Sequence, residues 1–451
     1  MMLMMELPYG WKPALLIGGL LLVVLGVWLR SRHLSLDQRL AWAQWALLVL
    51  PWGLWLGLVL AGIPVPLTGM VLLLLGTLLG YVAVASWRQR LVVPPAPEVT
   101  PPTTTQPFAS LAEVQDVLGW DQFLATEWHP CRAGVVVRGN LRCDPAQAHQ
   151  ALTAKLQSRW GNDYCLFLMR DEQDRPVVVI LPAAAVAPEP VPWLPGLSLG
   201  LLAVAAVTCW QVVPLWGLGL VGVLLAHEAG HRWQARRYGV GLRWPLWVLG
   251  VELGCFGAVT PLATVVPHRT ALWDIAAAGP AVGAGVSLVL VLVGLGLSAA
   301  GQGTLLEPER LQESVLVAAL ARLVLGDQLH HPLIPVHPLV TVGWLGLVVT
   351  ALHLLPVGCL DGGSMVQAVY GEKVLRATTW VSAVVLGLVG LGQPMLLVWG
   401  VLLVLVQRQP ERPALEALSE PDDLRVWLTW GALLGALLVL LPWRDALGWA
   451  A

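Results

Sequence analysis

The stretch LWGLGLVGVLLAHEAGHRW, residues 215–233, decides how the rest of the chain is read. Its first twelve residues are mostly apolar and run straight into His227-Glu228-Ala229-Gly230-His231. Two histidines four apart share one helix face, about 6 Å apart along the axis, so both rings can reach one divalent metal. Glu228 then sits beside the metal's open position, where it can take a proton from a water that the metal has made acidic. A bland reading makes His227 and Glu228 a buried polar pair in a helix bundle. Ionisable groups at membrane depth are costly, and that cost weighs towards a functional role.

The surrounding composition places this helix in lipid. Of 451 residues, 57% are hydrophobic and 12% charged, and the mean hydropathy is +0.71. A soluble domain carries about 25% charged residues, so a single water-soluble globule is excluded. With 26 basic and 28 acidic residues the net charge is -2, which argues against a nucleic-acid partner held through counterion release. The six cysteines, at 131, 143, 165, 209, 255 and 359, form no CxxC pair and suggest neither a disulfide framework nor a thiolate zinc site.

Apolar runs long enough to cross a hydrocarbon core of about 30 Å fall at 13–29, 41–61, 66–86, 194–213, 215–237, 271–299, 339–358, 378–407 and 425–443. Gly392-Gln393-Pro394 interrupts the run at 378–407, giving one kinked helix or two short ones. The expected fold is therefore a polytopic all-α membrane protein of about 8–9 transmembrane helices, embedded in the lipid bilayer. Residues 1–93 read as a three-helix anchor with no cleavage pattern, retained in the membrane. The stretch PPAPEVTPPTTTQP, 94–107, reads as a stiff linker. Residues 108–185 read as a small soluble α+β domain, 190–407 as the core around the histidines, and 408–451 as a C-terminal transmembrane segment.

Within the soluble domain, AGVVVRGNL (133–141) predicts a strand and turn, and Asp144-Pro145 starts a helix that Gly161 closes. YCLFLMR (164–170) and PVVVILP (176–182) predict a hairpin. Arg30, Arg32, Arg39, Arg88, Arg90, Arg232, Arg236 and Arg237 fall on one side of the alternating path. That side is expected to be cytosolic or stromal, and the soluble domain leaves from it.

A hydrolytic zinc site needs a third protein ligand. Asp361, in HLLPVGCLDGG (353–363), is the candidate. An ordinary helix-ending Asp-Gly turn is the alternative, but both spans end on the basic side, which lets Asp361 meet the histidines. GCFGAVTP (254–261) reads as a re-entrant strand beside the metal or as a plain loop, because Gly254, Gly257 and Pro261 break any helix. As a strand it offers an edge for an unwound substrate segment. His330, His331 and His337 lie in a proline-interrupted loop without helical spacing and are not read as a second metal site.

The HEAGH motif in a membrane span, paired with the distant LDGG, resembles the site-2 protease family of intramembrane, M50-like zinc metalloproteases. Gly139-Asn140-Leu141-Arg142 resembles the GNLR signature of that family's EGY branch, found in chloroplasts and cyanobacteria. GCFGAVTP, AAAGPAVG (276–283) and VHPL (336–339) resemble the same branch, and the likeness runs from about 133 to 372. It implies one Zn2+ held by His227, His231 and Asp361, with Glu228 as acid/base. It also implies a multi-pass protein that cleaves peptide bonds in or near transmembrane segments of membrane-protein substrates. A homo-oligomer is compatible with such a chain.

Where the family pattern NxxPxxxxDG has Asn, this chain has His353. The resemblance gives that position a role in holding substrate or transition state, and the strand reading above adds Gly254 and Gly257 to the expected substrate-binding set. His353 can still donate a hydrogen bond, and it can also compete for zinc. Two other readings stand beside the protease. One is an inactive protease-like membrane chaperone or binding protein, and the other is a metal or proton transporter using the buried His and Asp groups.

Overall fold

The computed structural model describes residues 116–443 apart from breaks at 132–133, 172, 187–193, 215, 251–253 and 391–410, together with isolated earlier positions. The expected N-terminal spans and the Pro/Thr-rich linker lie outside the described residues, as does the Gly392-Gln393-Pro394 interruption. The chain divides into two units, Met1–Thr104 and Thr105–Ala451, and everything below belongs to the second.

The first part is a four-stranded antiparallel sheet. Its strands are β1 (Phe123–Cys131), β2 (Gly134–Leu141), β3 (Tyr164–Arg170) and β4 (Pro176–Pro182), in the order β1-β2-β4-β3. Helix α1 (Pro145–Trp160) packs against it. The side chain of Asp144 accepts from the Ala146 and Gln147 amides, Pro145 opens the first turn, and Gly161 leaves the helix at φ 60°. Tyr164–Arg170 and Pro176–Pro182 pair as a hairpin. Strand β1 is an addition to the sequence reading. FLATEWHPC has no clean alternation, and it joins the sheet through tertiary pairing to β2 across a bulge at Ala125/Glu127. Phe123, Leu152, Leu156, Leu168, Val178 and Ile180 fill the core between sheet and helix.

The second part is helical. It comprises α2 (Leu194–Val212), α3 (Gly217–Arg237), a hairpin of β5 (Leu246–Gly250) and β6 (Gly254–Val259), and α4 (Arg269–Ala299). Beyond α4, β7 (Thr304–Leu306) and β8 (Ile334–Val336) pair antiparallel around α5 (Val315–Leu325). There follow α6 (Pro338–His353), α7 (Asp361–Tyr370), α8 (Glu372–Gly390) and α9 (Asp423–Leu440).

Among the described residues, three helices are long and apolar enough to cross a membrane: Pro195–Val212, Arg269–Ala299 and Asp423–Leu440. Helix α6 is apolar but shorter, and the polar second half of α3 keeps it out of that set. Val289 on α4, Trp380 on α8 and Trp427 on α9 are turned outward and exposed, as side chains facing lipid are.

Helices α3, α4 and α6 approach through small residues, since apolar burial gives no drive to association in lipid and close backbone packing takes its place. A Cβ on Gly230 of α3 would lie 2.5 Å from the Ala278 carbonyl oxygen of α4, and one on Gly343 of α6 would lie 2.6 Å from the Ser287 carbonyl oxygen. One boundary needs correction. The span expected to reach residue 358 stops at His353, and the chain turns through Leu354–Leu360, which includes Pro356. Asp361 then opens α7; it does not end a helix.

Candidate metal centre

The candidate ligands come from three helices. His227 and His231 lie on one face of α3, and their ring centroids are 5.0 Å apart. Asp361 stands in the first turn of α7, where the helix dipole favours a carboxylate. His353 is the last residue of α6. The structure sets all three rings against Asp361, His227 and His353 on Oδ2 and His231 on Oδ1, and His231 is not in the set whose ligand atoms are mutually close. Asp361 Oδ2 lies 3.1 Å from His227 Nε2 and 3.5 Å from His353 Nδ1, while Oδ1 lies 3.3 Å from His231 Nε2. His227, His353 and Asp361 offer ligand atoms that are all within 4.8 Å of one another.

These residues fit zinc. Donors on a tetrahedral zinc with bonds of about 2.0–2.1 Å stand about 3.3 Å apart, which is the spacing found around Asp361. The ring orientations agree. His231 Nδ1 lies 2.8 Å from the Ile275 carbonyl oxygen and must donate to it, which leaves Nε2 of the neutral ring as a lone pair aimed at a carboxylate oxygen. Two acceptors held that close repel unless a cation or proton lies between them. A carbonyl holding the far nitrogen is also the usual outer support of a metal-bound histidine.

Glu228 is buried beside this cluster. Its Oε2 accepts a hydrogen bond from Thr260 Oγ1 at 2.7 Å. Arg232 Nε, one turn on, stands 2.7 Å from Oε1, close enough to balance the charge. Its N–H is not aligned on that oxygen, so Oε1 has no well-directed donor and keeps an acceptor position free. A cavity lined by His231, Thr260, Leu262, His353, Asp361 and Glu411 opens on the cluster.

The backbone around the rings is shaped to admit them. A Cβ on Gly279 of α4 would lie 2.1 Å from His231 Nε2, and one on Gly283 would lie 2.8 Å from His227 Nδ1. Of the other expected substrate-contacting positions, Gly254 turns its bare face to Cys209 of α2, and Gly257, at φ +100°, turns its bare face to His353. GCFGAV forms strand β6, paired with β5. The sequence reading missed Thr260, which touches Glu228 only through tertiary packing. It also missed the part played by Gly279 and Gly283, although their GxxxG spacing is the usual mark of close helix approach.

Two family profiles match the chain: EGY3 middle domain over residues 112–188 and Peptidase family M50 over 216–391. The chain is 33% identical to the probable zinc metalloprotease EGY2, chloroplastic, of Oryza sativa subsp. indica, over 75% of its own length and 67% of that protein's. It is 34% identical to the Arabidopsis thaliana protein of the same name, over 73% and 64%. It is 40% identical to the probable zinc metalloprotease EGY1, chloroplastic, of Arabidopsis thaliana, over 51% and 43%. The chain thus spans about two thirds of the length of the EGY2 relatives. No solved structure matches it.

Proposed function

The chain belongs to the EGY-type zinc metalloproteases of peptidase family M50, and from that premise we propose that it hydrolyses peptide bonds in or near the transmembrane segments of other membrane proteins. The observation that carries this reading is that two histidines of one helix face the two carboxylate oxygens of an aspartate 134 residues beyond the first of them, with a buried glutamate between the histidines in sequence. His227, His231 and Asp361 hold the zinc. When bound, zinc polarises the scissile carbonyl and lowers the pKa of the attacking water.

The chain's own groups do the rest. Glu228 Oε1 takes the water's proton and passes it to the leaving amide nitrogen. Thr260 holds the opposite oxygen so that the carboxylate keeps one orientation through both transfers, and Arg232 balances its charge. The β5–β6 hairpin receives an unwound substrate segment by strand addition. Water reaches the site from the side that carries the arginines.

The same reading extends to topology. The chain crosses a chloroplast or cyanobacterial membrane about eight or nine times, with the sheet domain on the stromal or cytosolic side. Its substrates are membrane proteins.

Glu228→Gln tests the acid/base. The purified variant is expected to keep its zinc while cleavage of a transmembrane substrate falls by roughly 10² or more. Cleavage at the wild-type rate would falsify the assignment, and metal flux into liposomes indifferent to the change would favour a transporter.

A further inference from the structure

His353 is placed like a ligand. It is 5% exposed, and its Nε2 lies 2.9 Å from the Phe256 carbonyl oxygen of β6, to which it must donate. Nδ1 of the neutral ring is then a lone pair, and it faces Asp361 Oδ2 at 3.5 Å. This repeats the arrangement at His231, where one nitrogen is fastened to a carbonyl and the other is turned to a carboxylate oxygen. It is also the outer-shell pattern that orients metal-bound histidines. The His353 and His227 rings are 5.3 Å apart, close to the 5.0 Å between His227 and His231.

Space has been made for the ring. A Cβ on Gly257 would lie 2.2 Å from His353 Nε2, so the strand passes close under the imidazole only because that residue is glycine. His353, His227 and Asp361 are mutually close, and the separation of His353 Nδ1 from Oδ2 is near the about 3.3 Å edge of a zinc tetrahedron.

We infer that His353 is a fourth protein ligand to the zinc, binding through Nδ1, so that the resting site has three imidazoles and one carboxylate. This rests on the zinc reading above and adds one residue to its ligand set. A site holding zinc through all four of these residues would leave no open position for water, so turnover would require His353 to withdraw. Because Nε2 is bonded to Phe256, withdrawal is mechanically tied to β6, the strand that receives substrate in this reading.

The test is zinc K-edge X-ray absorption on the detergent-purified full chain, where multiple scattering counts imidazoles, with zinc affinity measured against a competing chelator. Three imidazoles are expected in the wild type and two in His353→Asn, whose zinc affinity should fall about tenfold or more. The wild-type count needs no variant and stands even if His353→Asn folds poorly. Two imidazoles in the wild type overturns the inference and leaves the three-ligand site intact. A wild-type protein that binds no zinc overturns both.

Discussion

At the scale of single residues, the site is a set of orientations imposed on a few side chains. Thr260 illustrates this. Its hydroxyl holds one oxygen of Glu228 and leaves the other without an aligned donor, so it fixes the orientation of the carboxylate that the proposed mechanism uses as base. A hydrogen bond to a charged group contributes about 1.5–3 kcal/mol. Thr260→Val, nearly isosteric, is therefore expected to lower kcat by roughly 10–100-fold while zinc content and KM change little. A variant that loses zinc in proportion to activity would show that Thr260 supports the metal cluster instead. His227, Glu228, His231 and Asp361 were legible in the sequence because ionisable residues are rare in apolar runs. Thr260 was not, since nothing local marks a threonine whose partner lies 32 positions away.

At the scale of elements, the close approach of α3 to α4 brings the rings into register. Gly230 and Gly279 meet at this crossing, and the histidine ring occupies the space that a Cβ on Gly279 would need. Gly279→Ala is expected to push His231 aside and weaken zinc binding by tenfold or more. The control is Gly285→Ala on the same helix, where a Cβ meets nothing within 4 Å and alanine is the better helix former by about 1 kcal/mol. That variant should bind zinc as the wild type does, and equal losses in both would mean that α4 as a whole is intolerant of change. Helices α2, α3, α4, α6 and α9 lie on apolar runs readable in the sequence, whereas α5 and α7 fall on none of them. The end of α6 was not, because LLPVG continues the apolar run after the helix has stopped, and only Pro356 hints at the turn.

At the scale of the whole molecule, an extended segment, residues 411–420, ahead of α9 joins the sheet domain to the helical core. Leu168 of the edge strand β3 donates to the Leu415 carbonyl and accepts from Ala417, while Leu415 and Glu416 donate to Val266 and Pro267 just before α4. The Glu416 carboxylate is buried and caps the amides of Leu418 and Ser419. Glu411 and Gln367 of α7 exchange two hydrogen bonds through the glutamine side chain. The strap thus covers an open sheet edge and grips the helix that presents Asp361. ERPALEALSE gives no sign of this, since its alanines, leucines and glutamates favour helix and the pairing is entirely tertiary.

Burial pushes the Glu411 carboxyl up to about 7 from an ordinary 4.5, against the opposing pull of Arg412. A carboxyl raised in the folded state favours the protonated form. Its support for docking is complete below about pH 4.5 and is lost as pH climbs through 7. Hydrogen exchange at Leu168 and Leu415, corrected for intrinsic rate, should therefore show protection falling between pH 5 and pH 8 in the wild type. In Glu411→Gln the side chain cannot ionise, and protection should stay level over the same range. An identical slope in both proteins would assign the pH response to another group and leave the strap held by its backbone pairing alone.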